Sequence, residues 1–213
     1  MIGVLDYGMG NLRSVEKAFE FLGHRAGVVA HAKEVLACER LVLPGVGNFA
    51  DGMKLLDERG LRQPVLEFVA SGRPVLGICM GMQLLMDSST EDAPSADEPV
   101  AGLGVMAGCV DTFVADQGPD QPRLKVPQMG WNKLDFGTGE RSPLFVGIEE
   151  PAYVYFVHGY YCTPADDAVV AAQANYGSPF CVAFSANNVH ACQFHPEKSQ
   201  TVGLKILDNF ARL

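Results

Sequence analysis

The sequence predicts an α/β fold in which a mostly parallel central sheet carries helices on both faces. In the first half, short apolar runs at residues 2–6, 26–29, 41–43 and 74–78 alternate with segments of helical periodicity, a rhythm typical of parallel sheets. In the second half, short apolar runs follow one another across turns, which predicts an antiparallel extension. No linker-like segment separates the halves, so we expect a single domain over residues 1–213.

Three helices are predicted from apolar spacing and end signals. The first begins after Asn11, a residue type that caps helices, and ends at Gly23. Its apolar residues recur three or four positions apart, which places them on one face: Leu12, Val15, Phe19 and Leu22. A second helix covers residues 61–70, and a third follows Pro196 near the end of the chain.

The second half contains several short strand candidates. They are bounded by turn-forming residues and cover residues 109–114, 124–126, 153–157, 169–175, 181–185 and 189–194. The pair Asn187-Asn188 between the last two indicates a tight hairpin. Residues 87–99, in contrast, are polar and acidic without apolar periodicity, so we expect a mobile surface loop there.

Composition argues against several classes of protein. The chain has 213 residues, of which 48% are hydrophobic and 19% charged, as in soluble globular proteins. No apolar run approaches the roughly 20 residues that span a bilayer, and the N-terminus lacks the basic segment of a signal peptide, so a cytoplasmic protein is predicted. The cysteines form no C-x-x-C pair, which argues against zinc and disulfide frameworks. The net charge of −9 argues against nucleic acid as a principal partner.

The strongest chemical signal is the G-x-C-x-G stretch Gly77-Ile-Cys79-Met-Gly81. It lies between a predicted buried strand and a predicted helix, where the serine version of this motif places a nucleophile on a tight turn. The thiol of Cys79 would then lie at a helix N-terminus, which favours the thiolate. The backbone N–H of Met80 would be free to bind an oxyanion. The alternative is an inert cysteine buried in a strand.

A base for this cysteine is predicted at His195, which ends an apolar strand in the run Gln193-Phe-His-Pro-Glu197. Pro196 directs the chain out of the strand, and Glu197 can then turn back towards the imidazole. A carboxylate on one ring nitrogen fixes the tautomer and leaves the other nitrogen for the sulfur. Taken alone, Glu197 is better explained as an ordinary residue of a helix's first turn. With an elbow cysteine upstream, a Cys–His–Glu triad is favoured.

The stretch Pro44-Gly-Val-Gly47 also lies at a predicted strand end. It could be a simple turn, but beside the elbow the N–H of Val46 could serve as a second oxyanion donor. Gly45 precedes Val46, and glycine tolerates the positive φ that a reversed Gly45–Val46 peptide requires. We therefore expect this peptide to be a conformational switch.

Taken together, these stretches resemble the class I, triad-type glutamine amidotransferases. Within that group the chain is similar to the glutaminase subunits of imidazole glycerol phosphate synthase. The matching stretches run in order along the whole chain: Asp6-Tyr-Gly-Met-Gly-Asn-Leu-Arg-Ser14, Pro44-Gly-Val-Gly-Asn-Phe49, Gly77-Ile-Cys-Met-Gly-Met-Gln-Leu-Leu85, Pro127-Gln-Met-Gly-Trp-Asn132, Tyr155-Phe-Val-His-Gly-Tyr-Tyr161 and Gln193-Phe-His-Pro-Glu-Lys-Ser199. The resemblance implies a flavodoxin-like fold.

The resemblance also implies roles for individual residues. Cys79 would attack the side-chain amide of glutamine, His195 would protonate the departing ammonia, and Glu197 would orient His195. The implied substrate contacts are Gly47, Gln83, His158, Gly159 and Tyr160. Gly159 departs from the family, where serine or threonine is more frequent, which leaves a hydroxyl contact there in question. No metal or organic cofactor is implied.

A partner is implied as well, namely a (β/α)₈ cyclase subunit that uses the ammonia to make imidazole glycerol phosphate in histidine biosynthesis, as one half of a heterodimer. The surface that meets it would include Asn11, Met129, Trp131, Asn132 and Tyr155. Composition alone favours a core position for Trp131, the only tryptophan, because large aromatic residues are mostly buried.

Three alternatives remain open on the sequence. The chain could be the glutaminase of another pathway, such as pyridoxal phosphate or anthranilate synthesis, although the Gly130-Trp131-Asn132 block argues against it. It could be a cysteine hydrolase or stress protein of the same broad fold, or a non-catalytic regulatory subunit. The intact set of Cys79, His195 and Glu197 argues against both of these.

Overall fold

The computed structural model describes residues 1–93, 95, 98–115 and 123–213. Within these ranges the helices are α1 (Leu12–Phe21), α2 (Ala32–Ala37), α3 (Phe49–Glu58), α4 (Arg62–Ala70), α5 (Met80–Leu84) and α6 (Gln200–Ala211). The strands are β1 (Ile2–Leu5), β2 (Ala26–Val29), β3 (Arg40–Gly45), β4 (Val75–Cys79), β5 (Met86–Ser89), β6 (Val100–Ala101), β7 (Met106–Thr112), β8 (Gln128–Lys133), β9 (Tyr153–His158), β10 (Tyr160–Pro164), β11 (Val170–Tyr176), β12 (Ser178–Ala186) and β13 (Val189–Cys192).

A mixed sheet runs through the described part of the chain in the order β2-β1-β3-β4-β13-β12-β10-β7-β5-β6, and β11 pairs with β12. The five strands from β2 to β13 are all parallel to their neighbours. From β13 onwards the pairs β13–β12, β12–β10 and β10–β7 are antiparallel. Strands β8 and β9 form a separate two-stranded ribbon. The predicted parallel sheet with an antiparallel extension is confirmed.

Helices cover both faces of the sheet, as predicted. On one face, Val15 and Phe19 of α1 pack in one apolar cluster with Ile206 and Phe210 of α6. On the other face, residues of α3 and α4 join a second cluster, represented by Met53 and Val65 together with Met82 of α5. Because the central strands are buried on both faces, their sequences are uninterrupted apolar runs rather than alternating ones.

Several sequence expectations differ from the structure. Residues 124–126 are not a strand, and the neighbouring strand is β8, where a glycine and polar residues hide the strand pattern. Asn11 does occupy the position before α1, but its side chain makes no capping hydrogen bond. The helices α2 and α3 were not predicted, although a capping box of His31 and Glu34 begins α2 and the Asn48 side chain caps α3 by accepting a hydrogen bond from the Asp51 N–H.

The expected surface loop at residues 87–99 is wrong at its beginning. Met86–Ser89 forms β5, which pairs with both β6 and β7. Ser89 is fully buried, so a polar sequence here enters the sheet rather than solvent. The prediction for residues 94, 96 and 97 lies outside the described residues. No helix in the described ranges has the length and apolar character needed to cross a bilayer.

Candidate active site

Cys79 lies at the junction of β4 and α5, and it has the unusual backbone angles φ 54° and ψ −114°. A positive φ is rare for residues other than glycine and is typical of strained functional turns. The elbow predicted from the sequence is therefore present. The helix that follows has only five residues, so its dipole is weak, and backbone geometry rather than a long helix presents the sulfur.

The glycines of the elbow allow two backbone segments to approach closely. A Cβ at Gly77 would lie 2.9 Å from the carbonyl oxygen of Gly81, and a Cβ at Gly81 would collide with the carbonyl oxygen of Leu43. Neither glycine has a positive φ. Their role is thus to let α5 lie directly against β3 and β4, and the strained residue is Cys79 itself.

His195 and Glu197 meet Cys79 because β13 lies beside β4 in the sheet. The two strands are parallel, with Cys192 opposite Ile78, so their carboxyl ends emerge together. The His195 Nδ1 atom lies 3.0 Å from the Glu197 Oε1 atom, and both side chains are almost fully buried. His195 Nε2 is buried and has no regular hydrogen-bond partner among the described residues, which leaves it available to the Cys79 thiol.

The surroundings of His195 favour its protonated form. Burial lowers its pKa, but the nearby Cys79 and the hydrogen bond to Glu197 outweigh burial and raise the pKa to about 9. A buried imidazolium of this kind is stable only beside negative charge. The strained elbow and the buried His195–Glu197 pair thus place a base and its orienting carboxylate beside the Cys79 thiol.

A cavity of about 190 Å³ opens beside the sulfur. Its walls bring together residues from four separate parts of the chain: Val46, Gly47, Cys79, Met80, Gln83, Glu91, Val157, His158, Gly159 and Tyr160. Every substrate contact expected from the sequence lies in this lining. Larger clefts exist at Asp135 and at Arg141, but neither contains the cysteine, so the small cavity is the candidate site.

Glu91 is a cavity residue that the sequence reasoning missed. Its carboxylate accepts a hydrogen bond from the backbone N–H of Phe49 at 2.8 Å, and its own N–H donates to the Ser89 hydroxyl at 3.0 Å. Burial raises the pKa of Glu91. In the sequence, Glu91 is a carboxylate twelve residues after the elbow cysteine. Nothing distinguishes it there from the other acidic residues of the same stretch.

His158 forms one wall of the cavity as a neutral imidazole. Burial lowers its pKa to about 4, its Nδ1 atom lies 2.8 Å from the Tyr160 carbonyl oxygen, and its ring contacts Phe113, Phe156 and Phe180. The next residue, Gly159, has space for a side chain, because a Cβ would approach only Val126, at 3.6 Å. Its lack of a hydroxyl is thus not imposed by sterics.

Comparison with known proteins agrees with this geometry. The family model for class-I glutamine amidotransferases matches residues 3–213. The chain belongs to the class-I glutamine amidotransferase family. It is 49% identical over 212 residues to the imidazole glycerol phosphate synthase subunit HisH of Geobacter sulfurreducens, covering all of this chain and 98% of that protein. It is 44% identical over 211 residues to the same subunit of Rhodopirellula baltica, covering 99% and 97%.

Solved structures show that the amidotransferase fold is shared more widely. A crystal structure of a glutamine amidotransferase matches with a TM-score of 0.73 and 20% identity, covering all of this chain and 99% of that one. The structure of PurLQS from Thermotoga maritima matches with a TM-score of 0.72 and 17% identity, covering 99% and 97%. At these identities the likeness concerns the fold alone.

The Pro44–Gly47 segment, where a second oxyanion donor is expected at Val46, packs closely against the elbow. Strand β3 extends through Pro44 to Gly45, which pairs with Cys79, so Gly45 is extended rather than left-handed. Gly47 has the positive φ, at 108°. A Cβ at Gly45 would lie 2.6 Å from the Tyr7 hydroxyl oxygen and 2.9 Å from the Gly81 nitrogen. Close packing, in addition to conformational freedom, therefore requires glycine there.

The expected partner surface is partly assembled on the β8–β9 ribbon. Met129 and Trp131 are 65% and 48% exposed, and the rings of Trp131 and Tyr155 meet edge to face across the two strands, 6.2 Å apart. The core position that composition favoured for Trp131 is wrong. Asn132 lies on the opposite face of β8 and donates to the Asn175 carbonyl at 2.9 Å. Asn11 lines a small void behind His195 and Glu197.

Proposed function

We propose that Cys79, His195 and Glu197 are the catalytic residues with which this glutamine amidotransferase releases ammonia from glutamine, as the glutaminase subunit of imidazole glycerol phosphate synthase. The observation that carries the proposal is the buried His195–Glu197 pair behind a strained Cys79 that opens into a cavity. The base thus lies between the nucleophile and the orienting carboxylate, which is the arrangement that acyl transfer to a thiol requires. The full-length likeness to HisH subunits supports the pathway.

In this mechanism the Cys79 thiolate attacks the carbon of the glutamine side-chain amide. The His195 imidazolium donates its proton to the amide nitrogen, the C–N bond breaks and ammonia leaves, so that a thioester remains on Cys79. A water molecule then gives a proton to His195 and attacks the thioester, which releases glutamate. Glu197 stabilises the imidazolium at each stage.

The oxyanion of each tetrahedral intermediate requires hydrogen-bond donors. The Met80 N–H at the start of α5 is one candidate, and the Val46 N–H at the end of β3 is the other. Both residues line the cavity next to Cys79. One such donor contributes roughly 10²–10³ in rate.

The remaining cavity residues are suited to the amino-acid end of glutamine. The Glu91 carboxylate provides the negative charge that an α-ammonium group needs. Gln83 donates through Nε2 to the Tyr160 carbonyl at 2.9 Å, which leaves its own carbonyl oxygen for the substrate. Gly47, His158, Gly159 and Tyr160 complete the wall. These contacts favour free glutamine over a peptide, because the cavity has little room for a longer chain.

The ammonia is delivered to a separate (β/α)₈ cyclase subunit in a heterodimer. The exposed Met129 and Trp131, together with the partly buried Tyr155 ring that contacts Trp131, support this, since aromatic residues and methionine are enriched in protein interfaces. The Tyr155 backbone carbonyl also accepts a hydrogen bond from the His195 backbone N–H at 3.0 Å, so the backbone of this surface is joined directly to that of the base. Residues 1–213 act as one domain in this assembly, in the cytoplasm.

The test uses the complex of this chain with its cyclase subunit. Cys79→Ala should abolish glutamine-dependent synthesis, because no thioester can form, while synthesis from added ammonium salt persists. Glutamate release and product formation are both measured. If the variant retains glutamine-dependent activity, Cys79 is not the nucleophile, and if both activities vanish together, the assigned role is wrong.

A further inference from the structure

Gln193 is a fully buried amide between the candidate base and the sheet. It follows β13 directly, its side chain has no exposure to solvent, and its backbone N–H donates to the Val182 carbonyl at 2.8 Å. A buried amide must satisfy its hydrogen-bonding groups inside the protein. The partners of Gln193 therefore define what this side chain does.

The orientation of the Gln193 amide follows from its neighbours. The Tyr160 carbonyl can only accept, so the Gln83 Nε2 atom, 2.9 Å away, must be the donor. The same Nε2 lies 3.1 Å from the Gln193 Oε1 atom, which must accept. The Gln193 Nε2 atom then faces the opposite way and lies 3.7 Å from the Cys79 sulfur.

We propose that Gln193 is a positioning residue that donates a hydrogen bond to the Cys79 thiolate and stabilises it before attack. This inference rests on the proposed role of Cys79 as the nucleophile. A hydrogen bond to a charged acceptor is about twice as strong as one between neutral groups. It is also stronger in a buried site, where water does not compete.

The donor on the sulfur also connects the nucleophile with the substrate cavity. The chain of hydrogen bonds runs from the Tyr160 carbonyl through Gln83 to Gln193 and ends at Cys79. Gln83 lines the cavity, so the group that would contact glutamine also fixes the direction in which the Gln193 amide points. His195 and Gln193 approach the sulfur from the same segment, one as base and the other as a neutral donor.

Two variants separate this role from a merely structural one. Gln193→Met preserves much of the volume and removes the donor. Gln193→Glu retains an oxygen for Gln83 but presents an acceptor to the sulfur. The control is Asn209→Leu, at another buried amide, which donates to the carbonyls of Leu144 and Val146 at 2.8 and 2.9 Å. Asn209 is not in the cavity lining.

The readout is the rate of alkylation of Cys79 by iodoacetamide in the full chain between pH 5 and 10, followed by peptide mass spectrometry. Because only the thiolate reacts, the pH of half-maximal rate reports how well the thiolate is stabilised. We expect this midpoint to rise by about one pH unit or more in Gln193→Met and further in Gln193→Glu, so that at pH values below the midpoint the rate falls about tenfold for each unit of the rise. Asn209→Leu should lower thermal stability without moving the midpoint.

An unchanged midpoint in a folded Gln193→Met variant would overturn the inference and leave Gln193 as a support for Gln83. If the methionine variant does not fold, the near-isosteric glutamate variant decides in the same assay. Failure of the proposed function is a separate outcome, since it requires Cys79→Ala to retain glutamine-dependent activity, which the alkylation profile does not measure.

Discussion

At the scale of single residues, the buried pair of His195 and Glu197 controls the charge state of the site. The folded-state pKa of His195, about 9, lies above its ordinary value of 6.5. The unfolded chain therefore binds fewer protons between these values, and stability falls as pH rises from 6.5 through 9. Below pH 6.5 the imidazole is protonated in both states, and the contribution of the pair is complete.

Glu197→Gln should lower the pKa of His195 from about 9. The amide keeps the shape of the side chain but removes the negative charge that offsets burial of the imidazolium. NMR titration of the His195 ring in the full chain measures the change directly. Glutamate release by the complex should fall as well, by less than in His195→Ala. A His195 pKa that does not move would contradict the role assigned to Glu197.

A second residue-scale prediction concerns Glu91. Glu91→Gln preserves an oxygen for the Phe49 N–H but removes the charge proposed to bind the ammonium group of glutamine. We expect the KM for glutamine to rise about tenfold or more, with a smaller change in kcat. Asp92→Asn is the matched control, because Asp92 is the adjacent acid, hydrogen-bonded to Asn48 and outside the cavity lining. If both substitutions raise the KM for glutamine equally, the effect comes from the loss of negative charge in this region and not from the loss of an ammonium-binding group at Glu91.

At the scale of secondary-structure elements, the end of β3 differs from the elbow in how firmly it is held. The Met80 N–H is fixed by the turn at Cys79, whereas Val46 follows the last paired residue of β3 and is 40% exposed. A partner subunit can therefore reach the Val46 segment, and a reorientation of the Gly45–Val46 peptide would add or remove one oxyanion donor. From this arrangement we expect glutaminase activity to depend on the partner subunit.

Val46→Pro tests this element by deleting the N–H, and an extended Gly45 is compatible with a following proline. We expect glutamate release by the complex to fall by roughly 10²–10³ while ammonia-dependent synthesis persists. Val46→Ala retains the N–H and should remain close to the original activity. Full glutaminase activity in Val46→Pro would exclude the second donor. Gly45→Ala does not isolate the peptide reorientation, since its Cβ would lie 2.6 Å from the Tyr7 hydroxyl oxygen.

At the scale of the whole molecule, the order of strands in the sheet creates the site. Cys79 and His195 are far apart in the chain, and they meet because β13 inserts beside β4. The antiparallel strands then carry His158 and Tyr160 to the other side of the cavity. The continuous sheet supports the expectation of a single domain.

Buried histidines should also make the molecule sensitive to acid. Burial lowers the pKa of His158 and of His190 to about 4. Below pH 6.5 the unfolded chain therefore binds protons that the folded chain does not bind, and the stability of the fold decreases as the pH decreases. His190→Gln should reduce this slope by up to about 1.4 kcal/mol per pH unit between pH 6.5 and 4. Urea unfolding midpoints at several pH values measure it. Equal slopes in both proteins would contradict the prediction.

The sequence by itself determined the chemistry of this protein. Cys79 between two glycines, His195 followed by Pro196 and Glu197, and apolar runs in alternation with helices are local patterns, readable because each depends on neighbouring residues. The same locality explains the errors. Residues 124–126 have the composition of a strand but do not form one, and the polar residues of β5 belong to the sheet only because β7 pairs with them.

Tertiary structure decided which distant residues share a site and which side chains stay outside the core. Glu91 faces the cavity because β5 carries its acidic segment back to α3, where the Phe49 N–H binds it. Trp131 is half exposed because the β8–β9 ribbon stands apart from the main sheet. The direction of the Gln193 amide depends on a carbonyl at Tyr160, far away in the chain. Such contacts join residues that are not neighbours in sequence, and no local pattern encodes them.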